Sequence, residues 1–318
     1  MYAYLHAKIR AKLSRMLSAD DIEALAGADL DTLLQRLKGT SYAAQIIEAE
    51  DARISDRLGS GMLADVATLL MSLGGKDRDL IISVLARFRV ENLETIISAH
   101  IRRVPADKVK EYVFTLPWEQ VDYFRLLGLP GIDALIKELP WPNYQRALAA
   151  VHRQVGDKEV TFPYDVELDA LYLQQLLSQY KWQGADVKEI LKNRIMREIF
   201  SWAFRLKGYG FSFPETINLL PDFRPLISQE EMRGIVEDAE GWRGITRYLS
   251  SERTDLKLVE EFSADRMEQL FDADLLRVVG GAFVTSPFGL GIVVGYIYLK
   301  ELELARLVEL VERARVRR

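Results

Sequence analysis

Residues 88–97 read FRVENLETII, and Phe88, Leu93, Ile96 and Ile97 fall on one face of a helix. The pattern returns twice, as IMREIFSWAF at residues 195–204 and as LELARLVELV at residues 302–311. Aligning the blocks pairs Phe88 with Ile195 and Leu302, Leu93 with Phe200 and Leu307, Ile96 with Ala203 and Leu310, and Ile97 with Phe204 and Val311. Any amphipathic helices can be laid over one another in this way. The spacing is more telling: the interval from Asn92 to Ile199 equals that from Ile199 to Arg306, which argues for three related helical units.

Helical periodicity also fills the sequence around these blocks. Leu5, Ile9, Leu13, Met16 and Leu17 recur three or four apart, with Lys8, Arg10, Lys12 and Arg15 between them. Ser18 then reads as the cap of a second helix, because Asp21 supplies an acid three residues later and Ile22 and Leu25 follow. The same periodicity runs through residues 80–101, 143–151, 187–207 and 292–313. Strand-like alternation is scarce. Residues 158–168 (KEVTFPYDVEL) are the most extended candidate, but Pro163 would confine a strand to an edge, and the stretch reads as a linker. Breaks are expected at Gly74-Gly75, Pro117, residues 128–131, Pro140-Trp141-Pro142, and residues 208–214, 221–225 and 280–291. Helices with such short joints predict an all-α fold of stacked helical hairpins.

At 318 residues, 49% of them hydrophobic, the chain is longer than a usual single core, which predicts more than one packed unit. A formal net charge of −5 lacks the basic excess of a nucleic-acid binder, and Arg102-Arg103 and the basic residues at 313–318 read as solvated helix ends. With no cysteine, disulfides, thiolate zinc sites, iron–sulfur clusters and cysteine nucleophiles are excluded, and the composition suits a reducing cytosol. Residues 1–10 do not read as a signal peptide. Residues 278–299 carry no charge and are long enough to cross a bilayer. Gly280, Gly281, Ser286, Pro287, Gly289 and Gly291 interrupt that run, which reads instead as a loop followed by a buried helix starting near Gly289.

Catalytic spacings fail one after another. Gly59, Gly61 and Ala64 fit the GxGxxA form, but dinucleotide binding needs that loop between a strand and a helix, and residues 50–58 are charged and not strand-like. Gly289, Gly291 and Gly295 have the wrong spacing for it. Tyr296 and Lys300 stand four apart, as in some hydride-transfer enzymes; without a nucleotide-binding sheet they read as one helical turn, Tyr296 half-buried and Lys300 solvated. There is no GxxxxGK[ST] phosphate loop. His6, His100 and His152 are the only imidazoles, and neither HExxH nor a Glu-x-x-His pair occurs, so no metal and no cofactor is expected. Glu48, Glu50 and Asp51 read as a solvated, charged connector. The sequence therefore points to a protein that holds other proteins, rather than to one that performs a reaction.

Two stretches near opposite ends resemble a known family. The opening, Tyr4-Leu5-His6-Ala7-Lys8-Ile9-Arg10, followed by Ser14-Arg15-Met16-Leu17, is similar to the start of the C subunit of the V-type (A-type) rotary ATPases, the relative of the eukaryotic d subunit. Ser286-Pro287-Phe288-Gly289 and Tyr296 with Lys300-Glu301-Leu302-Glu303 resemble the family's late Pro-[Leu/Phe]-Gly loop and its Tyr-x-x-x-Lys-Glu-x-Glu helix. Glu91-Asn92-Leu93 and residues 204–210 (FRLKGYG) resemble the same helix in the earlier repeats. The sequence departs from the family where Asn-Leu-Arg is usual in each repeat: Asn92 remains, Ile199 and Arg306 take the equivalent places, and Val308 replaces an arginine.

The resemblance implies one domain over residues 1–318 with internal repeats at about 1–110, 111–215 and 216–318, arranged with pseudo-threefold symmetry into a funnel. It further implies a non-catalytic socket, peripheral on the inner, cytoplasmic face of the cell membrane. The socket would link the membrane proteolipid ring to the D and F subunits of the central stalk, and through them to the A and B subunits, during ATP-linked proton or sodium transport. Glu91, Asn92, Lys300, Glu301, Glu303 and Arg306 are then expected to line or buttress the funnel; the plainer alternative is surface charge with helical pairs such as Lys300–Glu303. Two other functions stay open on the sequence: a soluble helical adaptor that never meets a membrane ring, and an enzyme with dispersed carboxylates.

Overall fold

In a computed structural model, residues 2–47, 54–156, 158–238, 240–249 and 263–317 are described, and among them the secondary structure is helical, with no strand. The chain runs α1 (Tyr2–Leu13), α2 (Ala19–Leu25), α3 (Leu30–Leu37), α4 (Ala43–Ile47), α5 (Ile54–Leu70), α6 (Gly75–Ile101), α7 (Ala106–Val109), α8 (Tyr123–Leu127), α9 (Ile132–Glu138) and α10 (Pro142–Val155). It continues with α11 (Phe162–Tyr180), α12 (Ala185–Gly208), α13 (Phe213–Leu219), α14 (Gln229–Glu237), α15 (Ala264–Thr285) and α16 (Gly291–Val316). Two compact units form, one of Met1–Thr161 with Val293–Arg318 and one of Phe162–Ile292.

Local chemistry sets the helix ends. The Ser18 hydroxyl accepts from the Asp21 N–H while the Asp21 carboxylate accepts from the Ser18 N–H, a reciprocal cap that satisfies two donors lacking helical partners. Ser212 and Glu215 repeat the arrangement at α13. In the first unit, α2–α5 close over Leu25, Leu30, Leu33, Leu37, Ile46 and Leu58, and the far half of α16 fills the same core with Leu307, Val311 and Ala314. In the second, α12 packs along α15, where the Phe200 and Phe271 rings lie 6.1 Å apart.

The three repeat blocks fall inside α6, α12 and α16, the longest helices among the described residues at 27, 24 and 26 residues. Their aligned apolar positions are buried, except for Leu302, Leu310 and Phe204, which are half-buried.

Two expectations need correction. The stretch read as a linker becomes helix from Phe162, because Pro163 sits in the first turn of α11, where its missing N–H has no helical partner to lose. Gly280 and Gly281 lie within α15, so the break they were expected to make is confined to residues 286–290. Residues 59–64 are inside α5, and a Cβ on Gly59 would stand 2.8 Å from the Phe114 ring, so this glycine answers to packing. No helix of the described residues is long and apolar enough to cross a membrane. Glu48, Glu50 and Asp51 lie outside the described residues.

Candidate functional site

The expected contact residues all belong to the first unit, and the structure sorts them by burial. Asn92 is fully buried on α6. Its amide donates to the Phe114 carbonyl at 2.8 Å and accepts from the Phe114 N–H at 2.7 Å, so one side chain supplies both bonds that a neighbouring strand would give. Beside it, Arg89 donates twice to Glu119 Oε1, at 2.9 and 2.5 Å. The Arg89 guanidinium also lies over the Trp141 ring at 4.1 Å, and the Tyr123 hydroxyl donates to Glu119 Oε2 at 2.5 Å. These bonds tie the segment between α7 and α8 onto α6. Burial works against the Arg89 charge, but its bonds to Glu119 and the attraction between the two hold its pKa above the ordinary arginine value. Burial first, and Glu119 second, push the Tyr123 phenol up.

On α16, Tyr296 and Lys300 are both buried, contrary to the half-buried tyrosine and solvated lysine read from the sequence. The ammonium tolerates burial because it is paired: Lys300 Nζ donates to Glu303 Oε2 and to the Tyr42 hydroxyl, each at 2.7 Å, and stands 4.2 Å from the centre of the Tyr42 ring. Glu303 Oε1 accepts from the Leu17 N–H at 2.6 Å, which fastens the end of the α1 turn to α16. Tyr296 donates to Asp65 Oδ2 at 3.3 Å, and Lys12 reaches Asp65 Oδ1 at 2.8 Å. The Tyr-x-x-x-Lys-Glu-x-Glu motif thus forms an internal knot that joins α1, the Tyr42 turn, α5 and α16. Burial, then the nearby Glu303 carboxylate, raises the Tyr42 phenol; burial, then Asp65, raises Tyr296.

Glu301 leaves the knot and points its carboxylate toward Arg87, 4.0 Å away. Arg87 also donates to Glu91 Oε1 at 2.8 Å, one helical turn along α6. Arg306 is exposed. The structure therefore joins Lys300 with Glu303, and Glu91 with Glu301 through Arg87, while Asn92 faces inward. Arg89, Glu119, Tyr42 and Asp65 were not anticipated. Their partners are far away in sequence, and no local spacing marks them.

The second unit repeats this use of charge. Along α12 and α15, Arg197 bonds Asp272 at 3.1 Å and Glu268 at 2.7 Å, and Asn193 donates to Asp274 at 2.8 Å. Burial raises the Asp272 carboxyl against the pull of Arg197 and Arg194. No group of three or more metal-binding side chains gathers among the described residues.

Long helices that bury their charges against one another define an all-helical class of fold. Within that class, the ATP synthase (C/AC39) subunit family matches residues 5–317, and the chain belongs to it. The A-type ATP synthase C subunit of Methanocaldococcus jannaschii is 21% identical, spanning 98% of this chain and 82% of that protein. The proteins of the same name from Methanothermobacter thermautotrophicus and Methanosphaera stadtmanae are 22% and 19% identical, each spanning 96% of this chain and 82% of the relative.

Proposed function

We propose that the chain is a non-catalytic socket in a rotary ATPase, seated on the membrane proteolipid ring and receiving the foot of the central stalk, formed by the D and F subunits. Torque passes through it between the ring and the A and B subunits, coupled to proton or sodium flow, and it works peripherally on the inner face of the cell membrane. The observation that carries this reading is the unbroken family match from residue 5 to residue 317. In the same reading, three repeats at about 1–110, 111–215 and 216–318 surround a pseudo-threefold axis, each led by one of α6, α12 and α16. The socket needs stiffness, and close-packed interiors with internally paired charges deform little.

Glu91 and Arg306 are the stalk-contact candidates, and Asn92, Lys300, Glu301 and Glu303 buttress the helices behind them. Native mass spectrometry of an affinity-purified complex tests the function. Stalk, ring and A/B subunits are expected together, and a chain recovered with none of them overturns the socket. Charge reversal with E91K and R306E tests the contact assignment: co-purification of the stalk should weaken, and unchanged assembly removes these residues from the interface.

A further inference from the structure

The second unit exposes an apolar tip that its own packing does not use. Residues 278–290 carry no charge, yet of these only Val279 and Ala282 are buried. Val284 is 80% exposed at the end of α15, and Phe288 is 58% exposed in the loop before α16. The neighbouring turn, between α11 and α12, carries Trp182 at 85% exposure. The two turns lie side by side, because the Gly291 N–H donates to Asp186 Oδ2 at 3.2 Å. That contact also fixes the glycines of the loop, since a Cβ on Gly289 or Gly291 would stand 2.7 or 2.5 Å from the same oxygen. Gly280 and Gly281 are different. They sit exposed in α15 with open space where a Cβ would be, so the fold gains nothing from having glycine there, and glycine weakens a helix. Bare backbone in an uncharged helix surface suits close approach by another apolar body.

We infer that these two turns form the membrane-facing tip of the chain, docking on an uncharged apolar surface at the bilayer edge. Under the socket reading, on which this assignment rests, that surface is the exposed end of the proteolipid ring. Charge decides between the two proposed partners. A water-soluble stalk is matched by charged groups such as Glu91 and Arg306, whereas residues 278–290 offer none. Aromatic residues next to lysine, as Trp182 is to Lys181, also belong at a membrane–water boundary. In the first unit, the turn before α6 carries Met71, as exposed as Trp182 and at the corresponding place ahead of a long helix.

The test is binding of the purified full chain to the isolated proteolipid ring in nanodiscs, with empty nanodiscs of the same lipid and with the D–F stalk as parallel arms. The variants are V284D/F288D and W182D, whose side chains are exposed enough for the fold to persist, as checked by thermal melting. Ring binding should weaken about tenfold or more in both, while stalk binding stays unchanged. If the unaltered chain binds no ring, the socket reading falls and takes this assignment with it. If the unaltered chain binds the ring and the variants bind equally well, the assignment alone is wrong. Binding to empty nanodiscs as tight as to ring-bearing ones makes the occupant lipid and overturns the proposal.

Discussion

Replacing Asn92 by leucine asks whether the family asparagine faces a partner or holds the chain together. Leucine approximates the volume but offers neither donor nor acceptor. The substitution leaves the Phe114 N–H and C=O without their partners at 2.7 and 2.8 Å. Orphaning a buried polar group costs about 1–3 kcal/mol. Phe114 is half-buried, so water can reach part of its backbone and each group falls in the lower half of that range. Two such groups give a loss of about 2–4 kcal/mol, a large share of the roughly 5–15 kcal/mol that holds a folded protein together. Urea unfolding of the isolated chain, with E91Q as a surface control, measures it. The midpoint should fall for N92L with little change in slope, and E91Q should stay within about 0.5 kcal/mol of the unaltered chain. An N92L chain as stable as E91Q that nevertheless fails to assemble would refute the argument, because the asparagine would then be acting on a partner.

Three further outcomes follow from the geometry. Tyr42, Tyr123 and Tyr296 all have phenols raised above the ordinary value of 10.0, chiefly by burial. A raised native pKa stabilises below the unfolded value and loses that contribution as pH rises, so stability should decline from about pH 10 upward. Urea midpoints against pH check this, and the decline should be shallower in Y42F/Y296F. Gly59→Ala should destabilise by about 1–3 kcal/mol, because the new methyl meets the Phe114 ring at 2.8 Å. Gly280→Ala should do the reverse, stabilising by about 1 kcal/mol in thermal melts, because its methyl enters open space in a helix.

Much of the fold could be read from the sequence, since helical periodicity and caps are local. Ser18 and Asp21 sit three apart, and that spacing alone gave the cap seen at α2. The equal spacing of the three blocks likewise picked out α6, α12 and α16. Glycine misled at one place: a helix accepts it at a small penalty, so Gly280-Gly281 broke nothing. The site was less legible. Lys300 looked solvated because lysine usually is, and its burial depends on Tyr42, which the sequence sets 258 residues away. Glu119 stands 30 residues from Arg89, and Leu17 stands 286 residues from Glu303. Pairings of that kind exist only once the tertiary structure has formed.

The remote pairings also explain how such a fold resists deformation. Apolar side chains interlocked ridge into groove already oppose sliding between helices, and buried polar pairs add a directional term to that resistance. A buried guanidinium or ammonium whose donors are matched cannot slide, because moving it strands a charge in a medium that solvates it poorly. Arg89 with Glu119 on α6, Arg197 with Asp272 and Glu268 on α12, and Lys300 with Tyr42 on α16 put one such lock on each long helix. For a proposed torque-bearing socket that arrangement serves the function directly, since each lock adds to the packing that holds a helix in register under load.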